Sequence, residues 1–267
     1  IYGGRGKKHF CMKISHWYGR LGNNIQQCAV GLMMAQAYKT TFESIPHDII
    51  KQFTYKFGDG VSNHQSKFFY WEGAYREVTL EPSLIYTQMR SFCKEYIHPQ
   101  LDLPTLEIPD DTLVIHVRSG DVFDKTVENP SQYVPNPYTF YSNLFDEFEK
   151  IIVVTEPDSW NPIIREMMWN SKVTVQRGTI EEDFATILNA KHVASSGVGT
   201  FAIAAALCSR KIKNFYCSDL HITEHLNYKM LYNTDVTINL MELPNYIGIG
   251  EWKNTSEQRD FIFDYKI

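Results

Sequence analysis

The sequence predicts an α/β protein, and three observations carry that expectation. From Thr112 onward, short β-branched runs alternate with longer amphipathic ones, the pattern of a parallel sheet with helices on both faces. The strand-like runs are rich in Val and Ile and bounded by turn residues. The segment "HVASSGVGTFAIAAALC", residues 192–208, then passes from strand through a small-residue turn into a helix, and ligands of open α/β sheets bind beyond such carboxyl strand ends.

Taken in order, "CMKIS" reads as a strand and "NNIQQCAVGLMMAQAY" as a helix. An aromatic stretch, "KFFYWEGAYRE", precedes a further helix near "SLIYTQMRSFCKEY". "HPQLDLPTLEIPDD", with three prolines and four acids, reads as the crossing between two halves. Beyond it, "TLVIHV", "KIIVVT", "KVTVQ", "HVASS" and "IKNFYCS" read as strands. "YTFYSNLFDEFE", "NPIIREMMWN", "EEDFATILNAK" and "TFAIAAALCS" have helical spacing, with Pro162 and the acidic start at Glu181 suited to first turns. The expected organisation is an N-terminal lobe over residues 11–110, a Rossmann-like lobe over 111–220 and an aromatic, mixed wrapping tail over 221–267. Two such lobes facing one another would enclose a cleft. No internal repeat or low-complexity segment interrupts them.

At 267 residues and 43% hydrophobic content, the chain can bury a substantial core. A net charge of −5 argues against a dedicated nucleic-acid binder, which needs a basic stripe to neutralise phosphates. The longest apolar run, "FAIAAALC", is far short of the roughly 18 residues of a membrane span, and no amino-terminal signal pattern precedes it. Five cysteines without C-x-x-C spacing favour neither a disulfide framework nor a zinc knuckle. The expected setting is intracellular, with the cytoplasm favoured over the Golgi lumen. The lumen would follow from an anchor upstream of Ile1 and "GGRGKK", and "NTS" at Asn254 would then be a glycosylation acceptor.

Three segments carry chemistry. In "WYGRLGNNIQQ", residues 17–27, two glycines, an arginine and two asparagines form a tight polar turn at a helix start. "VIHVRSGDVF", residues 114–123, places His116, Arg118 and Asp121 just past the apolar part of a strand. Side chains two apart on a strand share a face, so His116 and Arg118 point the same way. Arg118 is permanently charged and able to bind two phosphate oxygens at once; an Arg118–Asp121 ion pair closing a turn is the plainer alternative. In residues 192–208, Ser195, Ser196, Gly197, Gly199 and Thr200 offer N–H groups and hydroxyls at a helix start, where an anion is favoured. A simple capped helix would use the same residues. The lysine of a P-loop and the third glycine of a dinucleotide fingerprint are missing.

"GRLGNNIQQ" resembles the "GGLGNQ" or "GRFGNQ" opening of the fucosyltransferase superfamily, and "HVRSGD" resembles its His-x-Arg-x-Gly-Asp signature. "PNPYTFY", "IIVVTEPDSW" and "EEDFATILNAKHVASSGVGTFAIAAAL" resemble its later blocks in the same order. "FFYWEGAYRE" is similar to its "GYWQSEKYF", with Glu72 where glutamine is usual. The resemblance covers most of residues 12–218. It implies a GT-B-like glycosyltransferase of two Rossmann-like lobes, using a nucleotide sugar and transferring to a glycan or glycoprotein. Arg118 would bind the diphosphate, His116 and Asp183 the base or ribose, and Ser195, Ser196, Gly199, Thr200 and Phe201 would line the nucleotide pocket. Arg20, Gly22 and Asn23 would close over the diphosphate, since Gly19 and Gly22 let the backbone approach it. The family's "NSTFSWWAA" stands here as "SSGVGTFAIAA", so GDP-fucose is the default donor and a UDP-sugar such as UDP-xylose the runner-up.

Glycosyl transfer leaves negative charge on the departing phosphate, which prearranged cations and N–H donors stabilise. Enzymes without them use a divalent metal held by an Asp-x-Asp triplet. The chain has no such triplet, so a metal-independent, inverting mechanism is expected, with no cofactor and Arg118 in the metal's place. Glu72, Asp121 and Asp124 are the carboxylates considered as acceptor base. "HITEH", residues 221–225, matches H-x-x-E-H and would put two histidines on one face of a helix. Only 42 residues follow it, and ordinary surface or tail histidines are the preferred reading. A dinucleotide oxidoreductase should show G-x-G-x-x-G. A non-catalytic carbohydrate binder is the remaining alternative, since 16 Tyr, 16 Phe and 5 Trp include rings that could stack on sugars.

Overall fold

The computed structural model describes residues 11–60, 81–126, 130–157 and 160–266. Strand β1 (Cys11–Lys13), helix α1 (Leu21–Ala37) and strand β2 (Thr41–Glu43) form a parallel β-α-β unit, and β3 (Thr54–Lys56) adds to β2 antiparallel. Helix α1 is buried over almost its whole length, because both the small sheet and the second half of the chain pack on it. It ends as the chain turns left-handed at Lys39, φ 51°. Helix α2 (Pro82–Phe92) carries proline in its first turn and runs on through a π turn, Cys93–Ile97, into a 3-10 turn, His98–Gln100.

The second half forms β4 (Thr112–His116), α3 (Gly120–Phe123), α4 (Tyr138–Ser142), β5 (Lys150–Val154), α5 (Pro162–Met167), β6 (Val173–Gln176), α6 (Ile180–Leu188), β7 (His192–Ala194), α7 (Phe201–Cys208), β8 (Asn214–Ser218), β9 (Thr237–Met241) and α8 (Ser256–Asp264). The six strands lie in the order β6-β5-β4-β7-β8-β9, every neighbouring pair parallel. Counted from β4, the order is 3-2-1-4-5-6, the doubly wound arrangement whose direction of winding reverses between its first and fourth strands. That point lies between β4 and β7, where Ile115 pairs with Ala194.

Every residue of β4 is buried, as a central parallel strand covered on both faces requires. Val114 joins one apolar cluster with Val154, Val193 and Phe215, while Leu113 and Ile115 join the other with Ile151, Val153 and Ala194. The first cluster also holds Met12, Ile25 and Cys28 of the amino-terminal unit and Ala202, Ala205 and Cys208 of α7. The run "AIAAALC" presents small side chains, which lets α1 and α7 approach closely and join both halves in one core.

Local chemistry sets the helix starts. Asn161 caps α5 by accepting from the Ile163 and Ile164 N–H groups, with Pro162 at the first position. Thr179 and Glu182 form a capping box on α6. The single helix expected over "YTFYSNLFDEFE" is instead α4 followed by a 3-10 turn, Phe145–Glu147. This break lets Phe140, Tyr141, Leu144, Phe145 and Phe148 all reach the core. The segment expected as a wrapping tail supplies edge strand β9 and helix α8. "TINLM" is nowhere fully buried and has no continuous apolar run, so it lacks the pattern of an inner strand.

Candidate functional site

The carboxyl ends of β4, β5 and β7 meet the amino-terminal turn of α1 at the reversal point of the sheet. The chain leaves β4 through His116 and reaches Arg118, which lies 15% exposed. Its Nε donates to Asp121 Oδ1 at 3.0 Å and its Nη2 to Oδ2 at 2.7 Å. The guanidinium also lies 3.6 Å above the centre of the Tyr133 ring, a cation–π stack open to arginine's flat group. The turn-closing ion pair, one of the two readings of "HVRSGD", is therefore present, and the guanidinium is held rigid by it. Burial works against the charge of Asp121, but Arg118 and then Arg20 outweigh it and hold that carboxyl below its usual range.

Arg20 enters from the other half of the chain. Its Nη1 lies 3.4 Å from Glu156 Oε1 and its Nη2 3.9 Å from Asp121 Oδ2. Two guanidiniums thus face two carboxylates contributed by β4–α3 and the end of β5. Glu156 is anchored by the Ser119 N–H, which donates to its Oε2 at 2.7 Å. Behind it Ser119 Oγ and Thr155 Oγ1 share a hydrogen bond of 2.7 Å, and Asn161 Nδ2 donates to Ser119 Oγ at 2.9 Å.

The "GRLGNNIQQ" turn divides its labour. Gly19 turns with φ 70°, and Gly22 packs so closely on Thr200 that a Cβ there would stand 2.5 Å from Thr200 Oγ1 and 2.8 Å from its carbonyl carbon. Thr200 Oγ1 donates to Asn23 Oδ1 at 3.1 Å. The other amides face the protein. Asn24 Nδ2 donates to the Tyr18 carbonyl, Gln27 Nε2 to the His16 carbonyl, and Gln26 Nε2 to the Glu224 carbonyl, at 2.9, 3.0 and 2.9 Å. Gln26 Oε1 accepts from the Leu226 N–H at 3.2 Å. Most of this polar run therefore ties loops to α1.

His116 is buried at 7% exposure, and its Nδ1 has no hydrogen-bond partner among the described residues. Burial first, then Arg118 and Arg20, push its imidazole down to about 4 against the opposing pull of Glu156, so it is neutral at pH 7. Its ring lies 5.1 Å from that of Phe201, which meets Phe184 edge-on at 5.2 Å. Asp183 is set back toward β6, its Oδ1 accepting from Gln176 Nε2 at 2.8 Å and the Gly178 N–H at 3.1 Å. Burial raises its pKa against those bonds.

Ser195 and Gly199 line a small, partly open pocket beyond β7 and β8, together with Ser218, His221, His225 and Tyr228. Ser196 lies beside them, buried. The "HITEH" segment is a turn here, so its histidines do not share a helix face. His221 Nδ1 lies 2.8 Å from the Asp219 carbonyl, and no group of three metal-ligating side chains occurs among the described residues. Gly197-x-Gly199-x-x-Ala202 has dinucleotide-fingerprint spacing with alanine third, but it follows the sheet's fourth strand. The turn after the first strand, where that fingerprint belongs, carries Arg118.

Of the sequence-predicted residues, Arg20, Gly22, Asn23, His116, Arg118, Asp121, Thr200 and Phe201 come together here, while Ser195 and Gly199 face the adjoining pocket. Glu72, with Tyr70, Trp71 and Tyr75, lies outside the described residues. Asp124 is spent on a turn, its Oδ1 accepting from the Thr126 N–H and hydroxyl at 2.8 and 2.7 Å. Sequence reasoning missed Glu156 and Tyr133. The signal for Glu156 was its place directly after the apolar run "KIIVVT", equivalent to the place of Arg118 after "TLVIHV".

The fold and site define an α/β protein with a doubly wound parallel sheet and a charged crevice at its reversal point. Comparison with protein-family models, curated proteins and solved structures gives no match for this chain.

Proposed function

We propose that the chain is a GT-B-like glycosyltransferase that moves L-fucose from GDP-fucose onto a glycan or glycoprotein acceptor by a metal-independent, inverting displacement. The observation that carries this reading is the pairing of Arg118 and Arg20 in one crevice at the reversal point of the sheet, beside the neutral, buried His116. A departing nucleoside diphosphate needs cations already aimed at it. Arg118 is fixed by Asp121 and Tyr133, so little reorganisation is required when charge develops. The neutral imidazole of His116 has a buried Nδ1 without a hydrogen-bond partner among the described residues, a position that a ribose hydroxyl or, with the other tautomer, a phosphate oxygen would satisfy.

Titration calorimetry of the metal-free chain with GDP, UDP, GDP-fucose and UDP-xylose tests the proposal. Binding of GDP and GDP-fucose is expected. Preference for UDP would keep the mechanism and replace the donor, and binding of none would leave a carbohydrate-binding role without transfer.

A further inference from the structure

We propose that Trp252 and Asn254, in the segment between β9 and α8, are positioning residues for the Arg118 guanidinium, and that through it they set the affinity for a diphosphate. The proposal rests on the reading of the crevice as a nucleoside-diphosphate site and extends that site to the C-terminal segment.

Arg118 is held from two sides, by the Asp121 carboxylate on α3 and by the face of the Tyr133 ring. Both supports stand on short pieces of chain. Helix α3 is four residues long, so the carbonyls at its end cannot be satisfied within the helix. Trp252 Nε1 donates to the Val122 carbonyl at 3.0 Å, and Asn254 Nδ2 to the Phe123 carbonyl at 3.1 Å. Tyr133 stands on a turn in which its own N–H donates to the Pro130 carbonyl at 2.9 Å. Within that turn the Ser131 carbonyl accepts from the N–H groups of Gly250 and Trp252 at 3.1 and 3.3 Å, and just beyond it the Tyr246 hydroxyl donates to the Pro135 carbonyl at 3.0 Å. Trp252 therefore joins the two supports of Arg118, with its side chain on α3 and its main chain on the Tyr133 turn.

The clamp is itself held in place. Trp252 is fully buried and meets the Phe123 ring edge-on at 5.6 Å. Asn254 is 6% exposed, and its Oδ1 accepts from Arg259 Nη1 of α8 at 3.1 Å, which turns Nδ2 toward the Phe123 carbonyl. Its backbone is left-handed, φ 54°, a conformation that asparagine tolerates better than most residues. A cation that stabilises a phosphate works by being in place beforehand, and the residues that lock its neighbours keep it there.

Trp252→Phe removes the Nε1–H and keeps an aromatic ring against Phe123. Asn254→Asp removes the amide donor and keeps the oxygen that faces Arg259. Calorimetry with GDP and guanosine separates positioning from packing, because only the diphosphate engages Arg118; UDP and uridine serve where UDP is preferred. Each variant should bind GDP about tenfold more weakly, as the loss of one well-placed hydrogen bond predicts, and guanosine within about twofold of the wild type. Tyr265→Phe, which cuts a bond from α8 to the Pro244 carbonyl, should lower Tm and leave both affinities unchanged. Equal weakening of GDP and guanosine, or weakening of neither, overturns the proposal, and so does a selective loss of GDP binding in Tyr265→Phe. If Trp252→Phe does not fold, Asn254→Asp decides alone; failure of both to fold assigns the two residues to the core and overturns their positioning role. A wild type that binds neither GDP nor UDP overturns the proposal together with the transferase reading.

Discussion

Thr200 Oγ1 donates a hydrogen bond to Asn23 Oδ1 at 3.1 Å, joining two residues 177 positions apart at the one place where helices α1 and α7 both begin. Gly22 makes that contact possible. In Gly22→Ala the new methyl would meet Thr200 Oγ1 and backbone at 2.5 and 2.8 Å, and the backbone cannot yield as a flexible side chain would. Overpacking of this kind costs about 1–3 kcal/mol. A lower Tm is expected together with weaker nucleotide binding, since Arg20 moves with the helix start. An unchanged melting curve would show that the two helices separate without cost.

Arg118→Ala should abolish nucleotide binding and also destabilise the fold, because Asp121 loses its bidentate partner while half-buried and Tyr133 loses its stack. The expected loss is about 1–3 kcal/mol. Arg118→Lys restores the charge but not the fork or the flat face, so stability should recover more than affinity does. Denaturant unfolding and calorimetry on both variants check this. Equal recovery of both properties by lysine would mean that only net charge matters at this position.

Strands β4 and β5 were legible in the sequence because each is a short β-branched run, as central parallel strands covered on both faces tend to be. Strand β9 was not legible, since an edge strand needs no continuous apolar run. The "HVRSGD" and "GRLGNN" segments were identifiable as site segments. What each side chain does there was not: Gln26 and Gln27 resemble ligand-facing amides in sequence, yet they bond loops brought near only by the fold. The place of Glu156 after a strand was legible, but its partner was not, since Arg20 lies 136 residues away.

His116 makes stability depend on pH. Its folded pKa of about 4 lies below the free value of 6.5, so between these values the unfolded chain binds more protons than the folded one. Stability is therefore lost as pH falls from about 6.5 toward about 4, by up to about 3 kcal/mol for this one residue. His47, His98, His192 and His225 are shifted downward chiefly by burial, and they add to the same trend. Unfolding at pH 7.5 and pH 5.0 should show a smaller difference in His116→Gln than in the wild type. An identical difference in the two proteins would mean that His116 becomes charged in the folded state without penalty.

Arg90 provides a test far from the crevice. Its side chain is only 3% exposed; Nε donates to Asp235 Oδ1 at 2.6 Å and Nη1 to the Ala206 carbonyl at 2.5 Å, while Nη2 has no partner among the described residues. The guanidinium thus closes the end of α7 from α2. The Arg90 hydrogen bond is the largest influence holding the Asp235 carboxyl well below its usual range, with Lys94 adding to it. That depressed pKa gives stability above the ordinary carboxylate range and loses it as pH falls through the folded value. Asp235→Ala would leave a buried cation with only carbonyl partners. Removing one member of a buried pair costs about 3–5 kcal/mol, and the 44% exposure of Asp235 reduces the expectation to about 1–3 kcal/mol. Because α7 begins at Thr200, loosening its far end should lower Tm while leaving the affinity for nucleotide within about twofold, a difference of about 0.4 kcal/mol. A variant that melts like the wild type would show that the Ala206 carbonyl alone suffices to hold Arg90. One that loses nucleotide affinity as well would show that the packing of α7, and not only its first turn, positions the crevice.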